Sequence, residues 1–178
     1  MNYLEKFKQI DTFIFDVDGV MTNSELIVLE NGRLLRKMNV RDGFAIKKAL
    51  EAGFRVAVIT GGSSSGVTQR LRALGVQDIY SGIQDKLDAF EEYIYSYDID
   101  PSRILYMGDD WPDYEPMRRV AIPACPRNAI PEILEIAQYI SPLEGGKGCV
   151  RDVIEKTMRI HKKWVSSPKA ISPSKEME

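Results

Sequence analysis

Short apolar runs alternate along the chain with segments whose apolar residues recur at helical spacing. Runs with few polar interruptions are typical of strands buried on both faces, as in a parallel sheet. Three such runs are clear, a fourth is brief, and two are weaker. They lie at 12–17 (TFIFDV), 55–60 (RVAVIT), 103–108 (RILYMG), 78–82 (DIYSG), 121–124 (AIPA) and 138–141 (QYIS).

The segments between these runs predict helices. In DGFAIKKALEAG, for example, Phe44, Ile46, Ala49 and Leu50 share one helical face, and Gly53 follows as a C-cap. The predicted helices cover 42–53, 63–75, 84–99, 113–120 and about 150–164. Strands separated by helices predict an α/β fold with a doubly wound, mainly parallel, Rossmann-like sheet. Its site is expected at the carboxyl ends of the strands.

Two segments depart from this alternation. In residues 25–40, Asn31-Gly32 lies between apolar stretches, which predicts an inserted β-hairpin with a two-residue turn that needs positive φ at both positions. Residues 166–178 are rich in Ser, Pro and Lys, so we expect a flexible tail outside the core. Residues 1–165 are then expected to form one domain, because 178 residues with 44% hydrophobic content fit one core better than two.

Composition narrows the classes of function. The formal charge of −2 gives no global basic field, so a nucleic-acid partner is not expected. Cys125 and Cys149 match no zinc or redox spacing and form no disulfide framework, which favours a reducing, cytoplasmic setting. The charged start MNYLEKFKQI is unlike a secretory signal, and no run approaches membrane-spanning length, so no membrane partner is expected.

Charged and hydroxyl residues gather where the predicted strands end. Asp16 and Asp18 follow the first strand, Thr60 ends the second, Asp109 follows the fourth, and Lys86 begins the helix after the third. Parallel strands bring these ends to one edge, and alternation sends Asp16 and Asp18 to the same side. Clustered carboxylates repel each other unless a cation lies among them, and oxygen ligands favour Mg²⁺.

This set of residues predicts phosphoryl transfer. The sequence has one histidine, His161, far in sequence from every strand end, so histidine-based catalysis is not expected. An ionised Asp16 can attack phosphorus to form an aspartyl-phosphate, while Asp18 protonates the leaving oxygen and then activates water. Lys86 would neutralise negative charge, and Thr60 would donate a hydrogen bond to a phosphoryl oxygen.

The motifs DVDGV, ITGG, DKLDAF and GDDWPD, in this order, resemble those of the haloacid dehalogenase superfamily of aspartate-nucleophile phosphatases. NVRDG, the hairpin before it and GGKGCVRDV resemble the small, capless 3-deoxy-D-manno-octulosonate 8-phosphate phosphatases of lipopolysaccharide synthesis. The resemblance spans roughly residues 10–160. It implies a fold of haloacid dehalogenase type without a cap domain, Mg²⁺ as cofactor, and hydrolysis of a sugar-acid phosphate.

The resemblance also implies roles for single residues. Asp16 would be nucleophile and metal ligand, Asp18 general acid and base with its backbone carbonyl on the metal, and Asp109 the remaining protein ligand. Asp113 would support the metal site. Thr60 and Lys86 would bind the phosphoryl group together with Gly61. The residues implied on the sugar side are Asn39, Val40, Arg41, Asp42, Gly43 and Arg70. Gly62 departs from the charged residue common in relatives, which leaves the sugar acid open between this octulosonate and a nonulosonate 9-phosphate.

Two other classes of protein remain alternatives. A receiver-like phosphoacceptor module also collects acidic residues, Thr and Lys on a doubly wound sheet, but it accepts phosphate on an Asp of strand three, where the chain offers only Asp78. A non-catalytic subunit is the other alternative. Intact Asp16, Asp18, Lys86 and Asp109 argue against it.

The hairpin predicts self-association. Its strands carry Leu26, Val28, Leu34 and Met38, and an isolated hairpin is marginal in water. We therefore expect a homo-oligomer, the tetramer that the resemblance implies, in which a neighbouring subunit helps to wall the sugar pocket.

Overall fold

A computed structural model describes residues 2–165, in which six parallel strands form one sheet with helices on both faces. The helices are α1 (Tyr3–Gln9), α2 (Val40–Glu51), α3 (Ser65–Leu74), α4 (Lys86–Tyr97), α5 (Tyr114–Met117), α6 (Pro131–Ile136) and α7 (Cys149–Ile160). The strands are β1 (Thr12–Phe15), β2 (Ile27–Val28), β3 (Leu34–Leu35), β4 (Arg55–Ile59), β5 (Asp78–Tyr80), β6 (Ile104–Met107), β7 (Ile122–Pro126) and β8 (Tyr139–Ser141).

The main sheet has the strand order β5-β4-β1-β6-β7-β8, and every neighbouring pair is parallel. The chain runs outward from central β1 to β4 and β5, then crosses back to β6 on the other side of β1. Strand order therefore reverses at β1, and the crevice at its carboxyl end is where α/β sheets bind ligands. The predicted doubly wound fold is confirmed.

Continuous apolar strands place a core on each face of the sheet. Phe13 and Phe15 of β1 pack in the cluster that includes α2 and α7 residues, whereas Ile14 packs in the cluster that contains Phe90 and Tyr93 of α4. All four residues of β1 are buried, as expected for a central strand covered on both sides.

The inserted hairpin forms, but its turn differs from the prediction. Strands β2 and β3 pair antiparallel, with Ile27 opposite Leu35, and Leu29 N–H donates to the carbonyl of Arg33. The hydrogen bond between Leu29 and Arg33 closes a loop of three residues, 30–32. Of these only Gly32 has a positive φ, at 80°. The prediction of positive φ at both Asn31 and Gly32 is wrong, because a three-residue loop needs one glycine in the left-handed region. Among residues 2–165 the hairpin is the insertion after β1, and no cap domain is present.

Two helices were absent from the sequence prediction. Helix α1 is capped by Asn2 and Glu5 and buries Phe7, while α6 begins at Pro131 and has only six residues. The predicted tail at 166–178 lies outside the described residues. None of the helices in residues 2–165 has the length and apolar character needed to cross a membrane.

Candidate active site

The carboxyl edge of the sheet brings the predicted polar residues together. Asp16 directly follows β1, Thr60 directly follows β4, and Asp109 lies two residues beyond β6. Phe15 of β1 is paired with Val58 of β4 and Met107 of β6, so the three strands end side by side. The geometry expected of parallel strand ends is present.

The Thr60 loop is fixed to the loop that leads to Lys86. Thr60 carbonyl accepts from Ile83 N–H at 3.1 Å, and Gly62 carbonyl accepts from Gly82 N–H at 3.1 Å. Thr60 is buried, and its Oγ1 accepts from Gly62 N–H at 3.2 Å. The hydroxyl hydrogen of Thr60 is therefore free to donate to a bound group, as a phosphoryl-binding role requires.

Lys86 is a buried cation held by two carboxylates. Its Nζ lies 2.9 Å from Asp16 Oδ1 and donates to Asp113 Oδ1 at 2.7 Å. Lys86 is the first residue of α4, where the helix dipole disfavours positive charge, so the two carboxylates must offset that cost. Burial lowers the pKa of Lys86, but the charges of Asp113 and Asp16 outweigh this and raise the pKa above its ordinary value. The ammonium is thus kept charged beside Asp16.

Asp113 has no accessible surface and supports its neighbours with both oxygens. Oδ1 also accepts from Tyr106 Oη at 2.9 Å, and Oδ2 accepts from Asp109 N–H at 3.1 Å. With its oxygens engaged in this way, Asp113 holds Lys86 and the Asp109 loop in place. This arrangement fits a supporting residue better than a primary metal ligand.

Three carboxylates crowd one point of the site. Oxygens of Asp16, Asp109 and Asp113 lie within 4.8 Å of one another. Burial and the Asp113 charge raise the pKa of Asp16 well above its usual range, although Lys86 opposes the shift. Burial, with Asp113 and Asp110, raises the pKa of Asp109 to about 7. Asp16 and Asp109 therefore resist ionisation unless a cation is present.

The site fits a hard divalent cation. Asp109 Oδ1 is buried and has no hydrogen-bond partner among residues 2–165, so it is free to ligate. Gly19 has φ 91°, and a Cβ at that position would overlap the Asp109 carboxylate. Glycine is therefore required here for the loop after β1 to approach Asp109. All-oxygen donors suit Mg²⁺.

Asp18 is held by a residue that the sequence analysis missed. Arg36 Nε donates to Asp18 Oδ1 at 2.7 Å, and Arg36 Nη2 donates to Asp18 Oδ2 at 3.1 Å. Arg36 follows the second hairpin strand, and its side chain is only 5% exposed. An arginine directly after the apolar pair Leu34-Leu35 was the available signal, but sequence spacing does not reveal that it reaches back to Asp18.

The residues expected on the sugar side lie in several places. Asn39 caps α2, accepting from Arg41 N–H at 2.8 Å, and its Nδ2 donates to Gly146 carbonyl at 3.2 Å. Val40 is 74% exposed, and Arg41 lines a separate cleft on α7 with Lys147 and Arg151.

Asp42 is buried and accepts from Arg151 N–H at 2.9 Å, so it caps α7 instead of facing the strand ends. Gly43 is also buried, and a Cβ there would lie 2.8 Å from Arg70 Nη2. Gly61 and Gly62 lie beside Thr60, and Arg70 lines a cleft with Arg36. The strand-end residues therefore converge, whereas Val40, Arg41 and Asp42 do not join them in the described chain.

Comparisons of the chain with known proteins identify its relatives. A family model described as haloacid dehalogenase-like hydrolase matches residues 75–151. The 3-deoxy-D-manno-octulosonate 8-phosphate phosphatase KdsC of Escherichia coli (strain K12) is 35% identical over 152 residues, which cover 85% of this chain and 81% of that protein.

Solved structures agree with the sequence matches. The crystal structure of 3-deoxy-D-manno-octulosonate 8-phosphate phosphatase from Yersinia pestis has a TM-score of 0.87 and 32% identity, covering 90% of this chain and 86% of that one. The Moraxella catarrhalis enzyme of the same name, in complex with magnesium ion, phosphate ion and KDO, has a TM-score of 0.85 and 31% identity, covering 88% and 90%.

Proposed function

The chain belongs to the 3-deoxy-D-manno-octulosonate 8-phosphate phosphatase family of haloacid dehalogenase-like hydrolases, and on this premise we propose that it hydrolyses that sugar-acid phosphate with Mg²⁺. The products are the free sugar acid and inorganic phosphate, in the cytoplasmic synthesis of lipopolysaccharide. The observation that carries the proposal is the convergence of Asp16, Asp109 and Lys86 at one edge of the sheet.

In the first half-reaction, an Asp16 carboxylate oxygen attacks phosphorus and the bond from phosphorus to the sugar oxygen breaks. Asp18 gives its proton to the leaving sugar oxygen, which leaves an aspartyl-phosphate on Asp16. In the second, Asp18 takes a proton from water as the water oxygen attacks phosphorus. The aspartyl bond breaks, phosphate is released and the Asp16 carboxylate is restored.

Lys86 and Thr60 act on the charge of the phosphoryl group. The Lys86 ammonium lies against Asp16, so it can stabilise the oxygens that gain charge as the phosphoryl group is transferred. Thr60 donates its hydroxyl hydrogen to one of these oxygens, and Gly61 binds the phosphoryl group beside it.

The side chains of Asp16 and Asp109 and the backbone carbonyl of Asp18 would hold the metal, with Asp113 in support. When bound, Mg²⁺ supplies a positive charge that lets the buried carboxylates stay ionised and polarises the phosphoryl group. Asp109 Oδ1, which has no other partner among residues 2–165, is the strongest support for this assignment.

The position of Asp78 argues against a receiver-like module. Asp78 begins β5, and its Oδ1 accepts from Tyr97 Oη at 2.6 Å. It therefore lies at the amino end of an edge strand, away from Asp16 and Lys86. The acceptor that such a module needs on its third strand is missing from the carboxyl edge.

We also infer a homo-oligomer, with the tetramer as its form. The hairpin exposes between 41% and 69% of each of Leu26, Ile27, Val28, Leu34 and Leu35. Five neighbouring apolar side chains on a two-stranded hairpin are typical of a surface that another protein covers. A second copy of this chain is the occupant we propose, and it would help to enclose the sugar.

The test is a panel of phosphorylated sugar acids, compared by kcat/KM with Mg²⁺ present. The proposal predicts the highest value for 3-deoxy-D-manno-octulosonate 8-phosphate. A higher value for a nonulosonate 9-phosphate would move the assignment to that substrate. No phosphate release from any member would contradict the enzyme assignment and favour a phosphoacceptor or non-catalytic role.

A further inference from the structure

A cleft of about 670 Å³ opens between the hairpin and the start of α3. We call it the hairpin cleft. Three arginines, Arg33, Arg36 and Arg70, line it together with the hydroxyl-rich stretch 63–65, and no acidic residue is among its lining residues. A concave surface with several cationic side chains and no lining carboxylate favours an anionic ligand.

Arg36 connects this cleft to the catalytic carboxylates. One edge of its guanidinium, Nε and Nη2, is occupied by Asp18. Its remaining nitrogen, Nη1, is buried and has no hydrogen-bond partner in the part of the chain described. A buried charged donor without an acceptor is costly, so a bound group is expected to supply one.

Arg36 also occupies the space beside Gly62. A Cβ built on Gly62 would lie 2.7 Å from Arg36 Nη2 and 3.0 Å from Asp18 Oδ2. A side chain at position 62 would therefore push the guanidinium away from Asp18. The absence of a side chain at Gly62 and the placement of Arg36 are sterically coupled.

We propose that Arg36 is the residue by which this chain selects an acidic substrate. Its Nη1 donates to a carboxylate oxygen of the sugar acid in the hairpin cleft, while its other edge positions Asp18 for proton transfer. Gly62 provides the space that this placement needs. The inference rests on the proposed function for the role of Asp18 and for a phosphorylated sugar acid as substrate.

The first experiment compares phosphorylated sugar acids with neutral phosphosugars of the same length. In Arg36→Met, kcat should fall for both classes because Asp18 loses its partner. For the acids, KM should also rise, so that their kcat/KM falls about 10- to 100-fold further, the range expected for one charge-assisted hydrogen bond. Arg36→Lys keeps the positive charge but not the planar guanidinium that donates to two groups at once, so it should lose less of the preference for acids than Arg36→Met does.

Lys37→Met is the matched control. Lys37 is the neighbouring exposed cation, and it does not line the hairpin cleft. The preference for acids should be unchanged in this variant. Thermal melts of all variants check that they are folded. If Arg36→Met fails to fold, the selective role of Arg36 is tested by comparing the preference for acids in Arg36→Lys with that in Lys37→Met.

The second experiment relocates the guanidinium. Gly62→Arg alone should reduce the preference for acids, because the new side chain displaces Arg36. In Gly62→Arg combined with Arg36→Ala, the arginine at position 62 can enter the vacated space, so the preference should recover at least in part. If the double variant loses as much of the preference for acids as the two single variants added together, the steric coupling between position 62 and Arg36 would be contradicted.

The outcomes separate this inference from the proposed function. If the wild-type protein prefers another sugar acid, the proposed substrate fails, and the same variants still test Arg36 on that acid. Two results would overturn the selective role of Arg36 and leave the phosphatase assignment standing. One is that Arg36→Met lowers kcat equally for both substrate classes with KM unchanged. The other is that the wild-type protein shows no preference for acids.

Discussion

Asp16 and Asp18 are two residues apart in sequence but lie in different electrostatic surroundings. Asp16 is buried against Lys86, whereas Asp18 is paired with Arg36, which lines the hairpin cleft. A cation fixed beside Asp16 favours its ionised, nucleophilic form. Each carboxylate is thus held in place by its own cation, so the two side chains are positioned independently of each other.

Replacing the nucleophile tests this division of roles. Asp16→Asn keeps the shape but removes the attacking charge, so phosphate release should fall by about 10⁴-fold or more. Asp78→Asn, on the edge strand away from the site, is the control and should retain full turnover. Near-normal turnover in purified, folded Asp16→Asn would exclude an aspartyl-phosphate on this residue.

Asp109 gives a prediction for the metal that is independent of turnover. Burial and the neighbouring carboxylates raise its pKa to about 7, so without a cation Asp109 is only partly ionised at neutral pH. Mg²⁺ should therefore raise the melting temperature of chelated wild-type protein, because it binds the folded state only. In Asp109→Asn this rise should be small, while the chelated variant melts no lower than the wild type. An equal Mg²⁺-dependent rise in both proteins would remove Asp109 from the metal site.

Helices α2 and α7 meet at Asp42, which caps α7 through Arg151 N–H. Its Oδ2 is buried and has no partner among residues 2–165. Burial raises the pKa of Asp42 to about 6, above the ordinary 3.8, although Arg151 opposes the shift. The folded protein thus keeps a proton that the unfolded chain loses between these pH values.

The sign of the pH effect follows from this proton. Because the folded state binds more protons than the unfolded state between about pH 4 and pH 6, the contribution of Asp42 to the free energy of unfolding falls as pH rises through that window. Asp42→Asn removes the contribution, so the variant should gain about 2 to 3 kcal/mol relative to wild type over the window. Denaturant unfolding at several pH values measures this difference. A difference independent of pH would contradict a buried, unpaired Asp42 oxygen.

At the level of elements, the long periodic segments were predictable and the short ones were not. Strands β1, β4 and β6 and helices α2, α3 and α4 carry strong apolar patterns, and each lies within about two residues of its predicted ends. Helix α6 has six residues, too few for a periodic pattern to develop. Helix α1 depends on tertiary packing, since Phe7 contacts Tyr139 of β8, 132 positions away.

The same distinction applies to the site. Asp16, Thr60, Lys86 and Asp109 could be predicted because strand ends in a parallel sheet meet by geometry alone. Arg36 could not, because its contact with Asp18 depends on how the hairpin folds back toward the loop after β1. Asp42 caps α7 through Arg151 N–H, a contact that sequence spacing does not reveal, and its place on the sugar side stays a prediction.

At the scale of the whole molecule, the exposed hairpin predicts an assembly that affects catalysis. Val28→Asp places a charge on its most exposed apolar side chain, which is 69% exposed. The variant should dissociate in sedimentation and show a raised KM, because the neighbouring subunit no longer encloses the sugar. Tyr95→Asp, at a 91% exposed position on α4, is the control and should keep both assembly and KM. A fully active monomer would refute the shared site and leave the chemistry intact.

The central claim is that the folded chain is a Mg²⁺-dependent phosphatase for 3-deoxy-D-manno-octulosonate 8-phosphate. The most direct measurement is phosphate release from this compound by purified protein, with Mg²⁺ and after exhaustive chelation. The account predicts rapid release with Mg²⁺, loss of release after chelation, and recovery when Mg²⁺ is restored. Full release in the chelated protein, or none with Mg²⁺ present, would contradict it.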